Sequence, residues 1–354
     1  MLPTDLMAEI ASSEVLDQAY LWLCDRRKDY SPNNDVWTLR WRWREIKPQV
    51  QQGLLSGSYR FAAVERFSSG EDTLEIWSSQ DALVLKALAI VLTRHLAPQM
   101  PKTCHHLAGN GGEMAAVRRL CQEIPGNAFV FRSDVKSYYA SIDHEILFAQ
   151  LKQHVADGHL LDLLWQYLRR TIYDGGQYED VKQGISLGCS LSPLMGALYL
   201  TPLDERMAAT GLFYVRFMDD WVVLAPTRWK LRAAVQCVNQ TLAELQVRQH
   251  PDKTFVGRIS RGFDFLGYRF SAPGIVGIAK QTVERCVERT NRLYEQGADA
   301  VRIGDYVRRW WQWVRTGLAV STLEDSVDGP LPFAAAVLGK SFRLCQSRCR
   351  WFPR

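Results

Sequence analysis

The sequence predicts an α+β protein built around an antiparallel sheet, and three apolar segments support this class. Leu212–Phe217 and Trp221–Ala225 are rich in Val, Phe, Tyr and Trp and are separated by a short polar tip, which is the pattern of a β-hairpin. Phe129–Val135 is a further apolar run and predicts a buried strand. Segments with apolar residues at helical spacing lie around these strands, so helices are expected to cover the sheet.

The hairpin tip carries two adjacent carboxylates, Asp219 and Asp220. Neighbouring carboxylates repel each other, and a divalent cation beside them would remove that repulsion, although a solvated Asp-Asp turn fits this segment equally well. A third carboxylate, Asp134 near the end of the Phe129–Val135 strand, favours a metal site over a solvated turn. Two strands that each end in Asp can lie side by side in one sheet. They then supply oxygen ligands for two Mg²⁺ ions about 4 Å apart, the arrangement used for in-line phosphoryl transfer.

A glycine-rich segment, Gln183–Leu194, lies between the two carboxylate segments and leads into apolar residues at helical spacing up to Tyr199. Glycine lets the backbone approach a phosphate or a base pair closely, and a helix that begins there presents backbone N–H groups. This entry into a helix therefore allows a close approach of the backbone to a phosphate or a base pair.

The other elements are predicted from the spacing of apolar residues and from the turn residues between them. Residues 1–30 are expected to be helical. The further elements are, in chain order, a helix at Lys47–Leu55, a turn at Ser56–Ser58, a strand that begins at Tyr59, a hairpin over Ser68–Gly70, helices at Asp81–Leu96 and Glu113–Glu123, and helices after Gly274.

Length, composition and net charge limit the number of subdomains and the kind of nucleic-acid surface that can be expected. With 354 residues, 47% of them apolar, the chain can bury a large core and form two or three subdomains. A net charge of only +5 means that a nucleic-acid surface would have to come from local clusters. Interleaved arginine and tryptophan suit phosphate contact and base stacking, although an amphipathic helix with buried tryptophans explains each cluster as well. The clusters are Arg40, Arg42 and Arg44 with Trp41 and Trp43; Arg308, Arg309 and Arg315 around Trp310, Trp311 and Trp313; and Arg343, Arg348, Arg350 and Arg354.

The cysteines and the apolar runs bear on location. The eight cysteines are scattered, only Cys345 and Cys349 lie close together, and no second ligand pair completes a zinc site. They are therefore expected to be reduced thiols of a cytoplasmic protein. Met1–Asp5 does not resemble the start of a leader, and no apolar run is long enough to span a membrane, so no membrane partner is expected.

Five segments, in this order, resemble the palm motifs of bacterial reverse transcriptases of the group II intron-like branch, which includes the short single-domain enzymes of defence systems. They are Asp134–Tyr139, Gln183–Pro193, Phe217–Asp220, Pro251–Thr254 and Phe263–Tyr268. The resemblance covers about residues 35–320. It implies a right-hand polymerase of the α+β class with an N-terminal helical extension at 1–34, fingers at 35–127, a catalytic palm with an antiparallel sheet at 128–270, a helical thumb at 271–320 and a basic tail at 321–354.

The resemblance also implies roles for residues near the carboxylates. Asp134 and Asp219 would bridge two Mg²⁺ ions, for which Mn²⁺ can substitute, with Asp220 as a nearby ligand or charge. The Val135 carbonyl would complete the metal on the nucleotide side. Lys253 would protonate or neutralise the leaving pyrophosphate.

Further residues are implied to hold the substrates. The Tyr139 ring would lie under the sugar of the incoming nucleotide and clash with a 2′-hydroxyl, which favours deoxynucleotides; a packed tyrosine without a selective role is the alternative. Gln183 and Gly184 would contact the nucleotide. The remaining implied contacts are a primer grip at Phe265, Leu266 and Gly267 and nucleic-acid contacts at Arg308, Arg309, Arg315, Arg348 and Arg350.

One segment departs from the family pattern. Related intron enzymes carry an Arg-Pro-Leu-type segment in the fingers that helps to bind the triphosphate, whereas this chain has Thr73–Ser78 there. Arg60, Arg66 or Lys86 is expected to take over that contact.

These features predict an RNA-directed DNA polymerase that extends a primer with dNTPs by two-metal phosphoryl transfer. Its partners would be an RNA template, expected to be a dedicated noncoding RNA, the DNA primer and product, and dNTPs. A homo-oligomer or a partner protein stays open, as does the choice between antiviral defence, retroelement mobility and another setting. A template-independent or protein-primed polymerase on the same palm is the alternative enzyme. The alternative from another class is a non-catalytic RNA-binding or splicing-aid protein. Asp134, Asp219 and Asp220 speak against it, because a pure binder has no use for converging carboxylates next to phosphate.

Overall fold

The computed structural model describes residues 5–69 and 72–319. These residues fold into two compact units. One unit contains the described residues up to Ala116 together with Val130–Val256, and the other contains Val117–Phe129 and the described residues from Gly257 onward. Helices and antiparallel strands are both present, which confirms the predicted α+β class.

Apolar residues at helical spacing, closed by polar caps, form the helices. Ser12 caps the second helix by accepting from the Val15 N–H at 3.3 Å, and Ser78 caps the fifth by accepting from the Asp81 N–H at 3.1 Å. No helix within the described ranges is both long and apolar enough to cross a membrane. The helices are α1 (Leu6–Ile10), α2 (Ser13–Arg26), α3 (Asp35–Trp41), α4 (Trp43–Leu55), α5 (Ser79–Leu96), α6 (Gly112–Glu123), α7 (Tyr138–Ser141), α8 (His144–His154), α9 (Gly158–Leu168), α10 (Ser192–Tyr199), α11 (Thr201–Ala209), α12 (Arg228–Glu244), α13 (Lys280–Glu295) and α14 (Ala300–Leu318).

The strands pair into three sheets. They are β1 (Val64–Ser69), β2 (Asp72–Ile76), β3 (Phe129–Ser133), β4 (Thr171–Asp174), β5 (Gln177–Asp180), β6 (Phe213–Phe217), β7 (Asp220–Ala225), β8 (Phe255–Arg258), β9 (Phe263–Phe265), β10 (Tyr268–Ser271) and β11 (Gly274–Ile278). The strand orders of the sheets are β2-β1-β4-β5, β6-β7-β3-β8 and β11-β10-β9.

The sheet β2-β1-β4-β5 joins two hairpins through one parallel contact. β1 and β2 pair antiparallel, as the predicted hairpin over Ser68–Gly70 requires, and Gly70 at its tip lies outside the described residues. β4 and β5 pair antiparallel, and Val64 of β1 lies opposite Ile172 of β4 in parallel register. Segments far apart in the sequence therefore share this sheet.

The predicted strand start at Tyr59 is wrong, because β1 begins at Val64. The Tyr59 hydroxyl donates to Oδ1 of Asp81 at 2.8 Å, and the Ala62 N–H donates to Oδ2 of the same carboxylate at 3.1 Å. The Asp81 side chain on α5 thus binds the segment that contains Tyr59 and Ala62, and this segment stays outside the sheet.

The sheet β6-β7-β3-β8 carries the carboxylate segments. β6 and β7 pair antiparallel with Phe217 opposite Asp220, so the predicted hairpin is confirmed. Its turn consists of Met218 and Asp219, and Asp220 is the first residue of β7.

The core beneath this sheet is aromatic and aliphatic. Trp221 of β7 and Phe131 of β3 are fully buried, and their rings meet edge to face with 6.4 Å between centroids. Arg132, near the end of β3, contacts Asp220 at the start of β7. The chain that leaves β3 at Asp134 therefore lies at the same end of the sheet as the hairpin turn.

In the second unit, α14 packs on the sheet β11-β10-β9 through Tyr268. The Tyr268 hydroxyl donates to the Trp313 carbonyl at 2.9 Å, and the two rings lie 4.7 Å apart. A Cβ on Gly317 would overlap the Tyr268 ring, which explains a glycine inside this helix despite its low helix propensity. The helices predicted after Gly274 are confirmed as α13 and α14.

Candidate active site

The turn between β6 and β7 presents the carboxylate of Asp219. Met218, the first turn residue, has a φ of +57°, a left-handed conformation that residues with a side chain adopt at a cost. Its N–H donates to Nδ1 of His106 at 2.9 Å, and its carbonyl accepts from the Arg216 guanidinium at 2.7 Å. Two side chains from outside the turn therefore fix its backbone.

Arg216 is fully buried behind the turn together with Asp204. Its Nε donates to Oδ1 of Asp204 at 2.8 Å, a second short contact joins the two groups, and a terminal nitrogen donates to the Ala197 carbonyl at 3.2 Å. The Tyr214 hydroxyl donates to the same carboxylate at 2.9 Å. Buried charges need such partners, so the ion pair and its hydrogen bonds form one satisfied network.

Asp134 follows β3 and is buried. Its Oδ2 accepts from the Lys253 ammonium at 2.6 Å, whereas among the described residues nothing donates a hydrogen bond to its Oδ1. A buried carboxylate oxygen without a partner is costly, and a cation at that oxygen would satisfy it. Val135 comes next and pairs with Gln249 in an isolated antiparallel bridge, which holds the backbone of this predicted metal contact.

Asp219 and Asp220 have different surroundings. Burial raises the pKa of Asp219 above its ordinary value, and the charge of Asp134 adds to this rise. Asp220 is held by Arg132, whose Nε and terminal nitrogen donate to its two oxygens at 3.2 and 3.1 Å. Burial still raises the pKa of Asp220 to about 6, against the opposing effect of Arg132. Asp220 is therefore paired with an arginine, whereas Asp219 and Asp134 repel each other.

The oxygen donors at this point fit a divalent cation. In the part of the chain that the structure describes, no three His, Cys, Asp or Glu side chains are already gathered around one point. Lys253 and Arg132 contact the carboxylates of Asp134 and Asp220. The unpartnered Oδ1 of Asp134 and the carboxylate of Asp219 are hard oxygen ligands, and these residues would hold such an ion.

A cleft of about 820 Å³ opens beside Asp219. It brings together most of the residues that the sequence predicts to hold the nucleotide. The lining residues include Arg66, Glu75, Tyr139, Arg170, Gln183, Gly184, Met218 and Asp219. Small-ligand sites typically have volumes of roughly 300–1,000 Å³, so the cleft is of a suitable size.

The ring of Tyr139 is fixed at the cleft by α10. A Cβ on Gly196 of that helix would lie 3.1 Å from Cε1 of Tyr139 and 3.2 Å from Cε1 of Tyr138, tighter than ordinary contact. The Tyr138 hydroxyl donates to the Gly196 carbonyl, which holds the helix against both rings. The Tyr139 hydroxyl is buried and has no hydrogen-bond partner among the described residues. Packing therefore sets the position of this ring.

Gly184 lies against the backbone of α7. Its φ is +88°, and a Cβ there would lie 3.0 Å from Cα and from the carbonyl oxygen of Ala140, so only glycine fits without a shift. The Gly184 carbonyl accepts from Nε2 of His144 at 2.8 Å. The Gln183 amide donates to the Ser141 carbonyl at 3.1 Å. Backbone contacts with α7 thus hold both predicted nucleotide residues at the cleft.

Two arginines at the sheet β2-β1-β4-β5 reach the cleft. Arg170 forms a bidentate pair with Glu75, with N···O distances of 2.7 and 2.8 Å. Arg66 contacts Glu179 at 3.3 Å and Asp174 at 3.8 Å. Nε of Arg66 is buried and has no hydrogen-bond partner among the described residues, so this side chain retains a donor for an anion.

Arg60 and Lys86, the other residues predicted for the triphosphate, are not among the residues that line this cleft. Arg60 donates to the Gly57 carbonyl at 2.9 Å and contacts Asp162 at 3.3 Å. Lys86 lies over the Trp22 ring, 5.0 Å from its centroid. Of the three candidates, the structure brings only Arg66 to the cleft.

The structure adds residues that the sequence patterns did not indicate, among them His106, Arg132 and Arg216. Burial lowers the pKa of His106 to about 4, and the charge of Arg216 adds to this effect, so the ring is neutral at pH 7. The two arginines leave a signal in the sequence, since each is the charged residue within an otherwise apolar strand. His106 lies in a loop and leaves no signal of spacing or pattern.

The predicted primer grip lies in the second unit, at the turn from β9 to β10. Leu266 and Gly267 have φ values of +46° and +82°, and a Cβ on Gly267 would lie 2.6 Å from the ring of Trp313 on α14. Phe265 is fully buried. Packing on α14 therefore fixes the backbone of this turn.

The predicted nucleic-acid residues of α14 are exposed. Arg308 forms an ion pair with Asp305 at 2.8 Å, and Nε of Arg309 donates to the Asp305 carbonyl at 3.3 Å. Arg315, which lies further along the same helix, is exposed as well. The predicted residues Arg348 and Arg350, like Arg343, lie outside the described residues.

Known proteins are similar to a large part of this chain. A sequence model for the family described as reverse transcriptase (RNA-dependent DNA polymerase) matches residues 80–270. Protein YkfC of Escherichia coli (strain K12) is 23% identical over 184 residues, which cover 42% of this chain and 48% of YkfC. Group II intron-encoded protein LtrA of Lactococcus lactis subsp. cremoris is 24% identical over 204 residues, which cover 56% of this chain and 34% of LtrA.

The chain spans less than half of the length of these two curated relatives. Among solved structures, a chain of the partial Cas6-RT-Cas1–Cas2 complex is similar with a TM-score of 0.42 and 23% sequence identity. That similarity covers 66% of this chain and 40% of the other.

Proposed function

The chain belongs to the reverse transcriptase family, and from this membership we propose that it is an RNA-directed DNA polymerase that extends a primer with deoxynucleotides. Membership confirms, at the level of the family, the resemblance drawn from the five sequence segments. The observation that carries the proposal is that Asp219 lines the cleft together with Tyr139 and Gln183, close enough to the buried Asp134 for the two charges to interact. In a protein that only binds RNA, two carboxylates that repel each other would weaken the affinity for this polyanion.

The proposal keeps the subdomains and the setting expected from the sequence. Residues 35–127 would be the fingers, 128–270 the palm and 271–320 the thumb, with a helical extension before them and a basic tail after them. The template would be a dedicated noncoding RNA, and the setting would be cytoplasmic antiviral defence. The likeness of the sequence motifs to short defence enzymes supports this part of the proposal.

The residues of the site divide the work of phosphoryl transfer. Divalent cations, Mg²⁺ in this proposal with Mn²⁺ as a substitute, would supply positive charge to the phosphates and to the attacking 3′-hydroxyl. Asp134 and Asp219 would hold them, with the Val135 carbonyl on the nucleotide side. Lys253, whose ammonium lies 2.6 Å from Asp134 with 42% of the side chain exposed, would turn to the leaving pyrophosphate and donate a proton or charge. Arg132 prevents Asp220 from adding an uncompensated charge.

The cleft would hold the triphosphate and the base through fixed donors. Arg66 would supply one cationic side chain of the cleft, and the bidentate pair of Arg170 with Glu75 keeps a second arginine in place beside Gly184, whose carbonyl it binds at 3.0 Å. Gln183 and Gly184 would contact the nucleotide itself. Arginine suits this task because its planar fork matches phosphate oxygens.

A primer-extension assay tests the proposed function. The full chain is given a labelled DNA primer on an RNA template with dNTPs and Mg²⁺, and the product is expected to follow the template sequence and stop at its end. Equal incorporation without template would show a template-independent polymerase, and label attached to the protein would show protein priming. RNA binding without any incorporation would show a non-catalytic binder.

Replacing Tyr139 by Ala or Val is expected to raise the ratio of ribonucleotide to deoxynucleotide incorporation by about tenfold or more, on the order of 1.4 kcal/mol. The smaller side chain opens space at the 2′ position of the sugar. The measurement is kcat/KM for each nucleotide on one primer-template. Tyr139→Phe keeps the ring and is the control, for which the ratio should not change. If the ratio stays constant in Tyr139→Ala while activity survives, the tyrosine only packs.

Replacing Arg343, Arg348 and Arg350 by Ala is expected to weaken RNA binding and to flatten its salt dependence. The slope should change by about one or slightly less for each phosphate that an arginine no longer neutralises, while turnover at saturating substrate persists. RNA affinity measured across a salt series checks this, and the same series on an Arg308, Arg309 and Arg315 variant tests α14. If both the affinity and the slope stay unchanged, the substituted arginines do not contact RNA and are solvated or packing residues. The control removes equal charge from the surface ion pairs of Lys28, Arg94 and Arg206.

A further inference from the structure

His106 has no direct part in the proposed reaction, yet its loop runs beside the strand that leads to the catalytic turn. The Arg216 N–H of β6 donates to the Thr103 carbonyl at 2.9 Å, and the His105 N–H donates to the Arg216 carbonyl at 2.8 Å. This pairing fixes the loop backbone and brings the ring of His106 to Met218.

The ring of His106 bridges the turn and α10. Its Nδ1 accepts from the Met218 N–H at 2.9 Å and lies 3.3 Å from Sγ of Cys104, so this nitrogen carries no proton. Nε2 therefore carries the proton and donates to the Pro193 carbonyl, in the first turn of α10, at 3.2 Å. The ring also meets Phe217 edge to face, with 5.9 Å between centroids. The low pKa of His106, caused mainly by burial, keeps the ring neutral and Nδ1 available as an acceptor.

Both ends of this bridge lead to the proposed reaction. Met218 is held at a φ of +57° and immediately precedes Asp219, so its conformation determines where that carboxylate points. α10 carries Gly196, which packs against the ring of Tyr139. One imidazole thus connects the metal-binding turn with the helix that fixes the proposed sugar contact.

We propose that His106 is a positioning residue, which holds Met218 in its left-handed conformation and thereby directs Asp219 toward the ion shared with Asp134. The kinetic consequence of this role rests on the proposed function. The conformational consequence does not, because it concerns the turn alone. A histidine that only fills space would not need an acceptor at one ring nitrogen and a donor at the other.

Three substitutions separate the contacts of Nδ1 from those of Nε2. His106→Asn keeps an acceptor near the position of Nδ1 and loses the donor, His106→Gln keeps a group near Nε2 and loses the acceptor, and His106→Ala loses both. In primer extension, kcat is expected to fall about tenfold or more in His106→Gln and His106→Ala, because a buried N–H loses its partner, and to stay within about threefold in His106→Asn. KM for the dNTP should stay within about twofold in all three.

Two measurements on the full chain without nucleic acid separate positioning from activity. Hydrogen exchange of the Met218 amide, followed in peptides that span residues 213–220, is expected to be about tenfold faster in His106→Gln and His106→Ala than in the wild type and His106→Asn. Mn²⁺ binding, followed by electron paramagnetic resonance, should weaken in the same two variants. His159→Ala removes an exposed histidine of α9 and should match the wild type in each measurement.

The outcomes distinguish the inference from the proposed function. If the wild type incorporates nucleotide and His106→Gln keeps both its kcat and its exchange rate, the positioning role is wrong. Equal losses in His106→Asn and His106→Gln would also overturn it, since only the volume of the ring would then matter. If the wild type incorporates nothing, the proposed function fails, and the exchange and Mn²⁺ results still decide whether His106 holds the turn. Should His106→Ala not fold, the Asn and Gln variants decide.

Discussion

The double variant Asp219→Asn, Asp220→Asn is expected to lose nucleotide incorporation on a primed RNA template by about a thousandfold or more, while its fold and RNA binding stay intact. An asparagine amide carries no charge and binds a divalent cation weakly, so no ion is held at the turn. The carboxylate of Asp219 lies at the cleft, and that of Asp220 contacts Arg132 at the end of the sheet rather than the apolar core. Incorporation with Mg²⁺, thermal unfolding and RNA affinity check the three parts of this expectation.

The thermal stability of the single variant Asp219→Asn provides a second test of the site. Because burial raises the pKa of Asp219, the folded chain without metal binds a proton more readily than the unfolded chain, and this contribution to stability is lost as the pH rises through the raised pKa. Charged Asp219 therefore costs stability at neutral pH, and Asp219→Asn should unfold at the same or a higher temperature than the wild type. Asp25→Asn, at a surface ion pair, is the control for incorporation. Full incorporation by the double variant would sink the assignment of the site.

Asp204→Ala is expected to lower the free energy of unfolding by about 3–5 kcal/mol, because it leaves the guanidinium of Arg216 buried without its anion. Neither side chain has any exposed surface. The same guanidinium holds the Met218 carbonyl, so the catalytic turn should loosen and incorporation should fall together with stability. Urea unfolding followed by circular dichroism measures the change.

Two further variants make this result specific to burial. Glu244→Ala breaks the ion pair with Arg206 at the surface of the same unit, and it should have little effect because water screens that pair. Replacing Asp204 and Arg216 together by Leu and Met should recover part of the lost stability, since no charge is then left buried. A loss below about 1 kcal/mol in Asp204→Ala would mean that Arg216 finds another acceptor.

Local patterns predicted the parts of the fold that depend on neighbouring residues. The hairpin of β6 and β7 was predictable because two β-rich runs flank a polar tip. The position of Asp134 at the end of a strand was predictable because it lies near the end of an apolar run of strand length. α10 was predictable because glycines are followed by apolar residues at helical spacing. Asp219, Tyr139 and the Gln183–Gly184 step lie within such segments, and the structure brings them to one cleft.

Contacts between distant segments could not be predicted in the same way. Arg132 reads as an interruption of a strand, and its partner Asp220 comes 88 positions later. His106 contacts Met218 from a loop 112 positions away, and no periodic pattern marks it. Tyr59 has the composition of a strand, yet its hydroxyl binds Asp81 on α5 and the strand begins later. In each case the local structure depends on a side chain that is distant in the sequence, and the neighbouring residues do not indicate that partner.

During synthesis, β1 leaves the ribosome long before β4, its parallel neighbour. Ile172, which lies opposite Val64, and Arg170, which neutralises the partly buried Glu75, are both translated roughly a hundred residues later, a delay of about 5–20 s at ordinary elongation rates. Throughout that interval one edge of β1 has no strand beside it, and open edges of this kind invite pairing with other chains. Until β4 is synthesised, the nascent chain therefore carries an open strand edge, and arrival of the β4–β5 hairpin covers it.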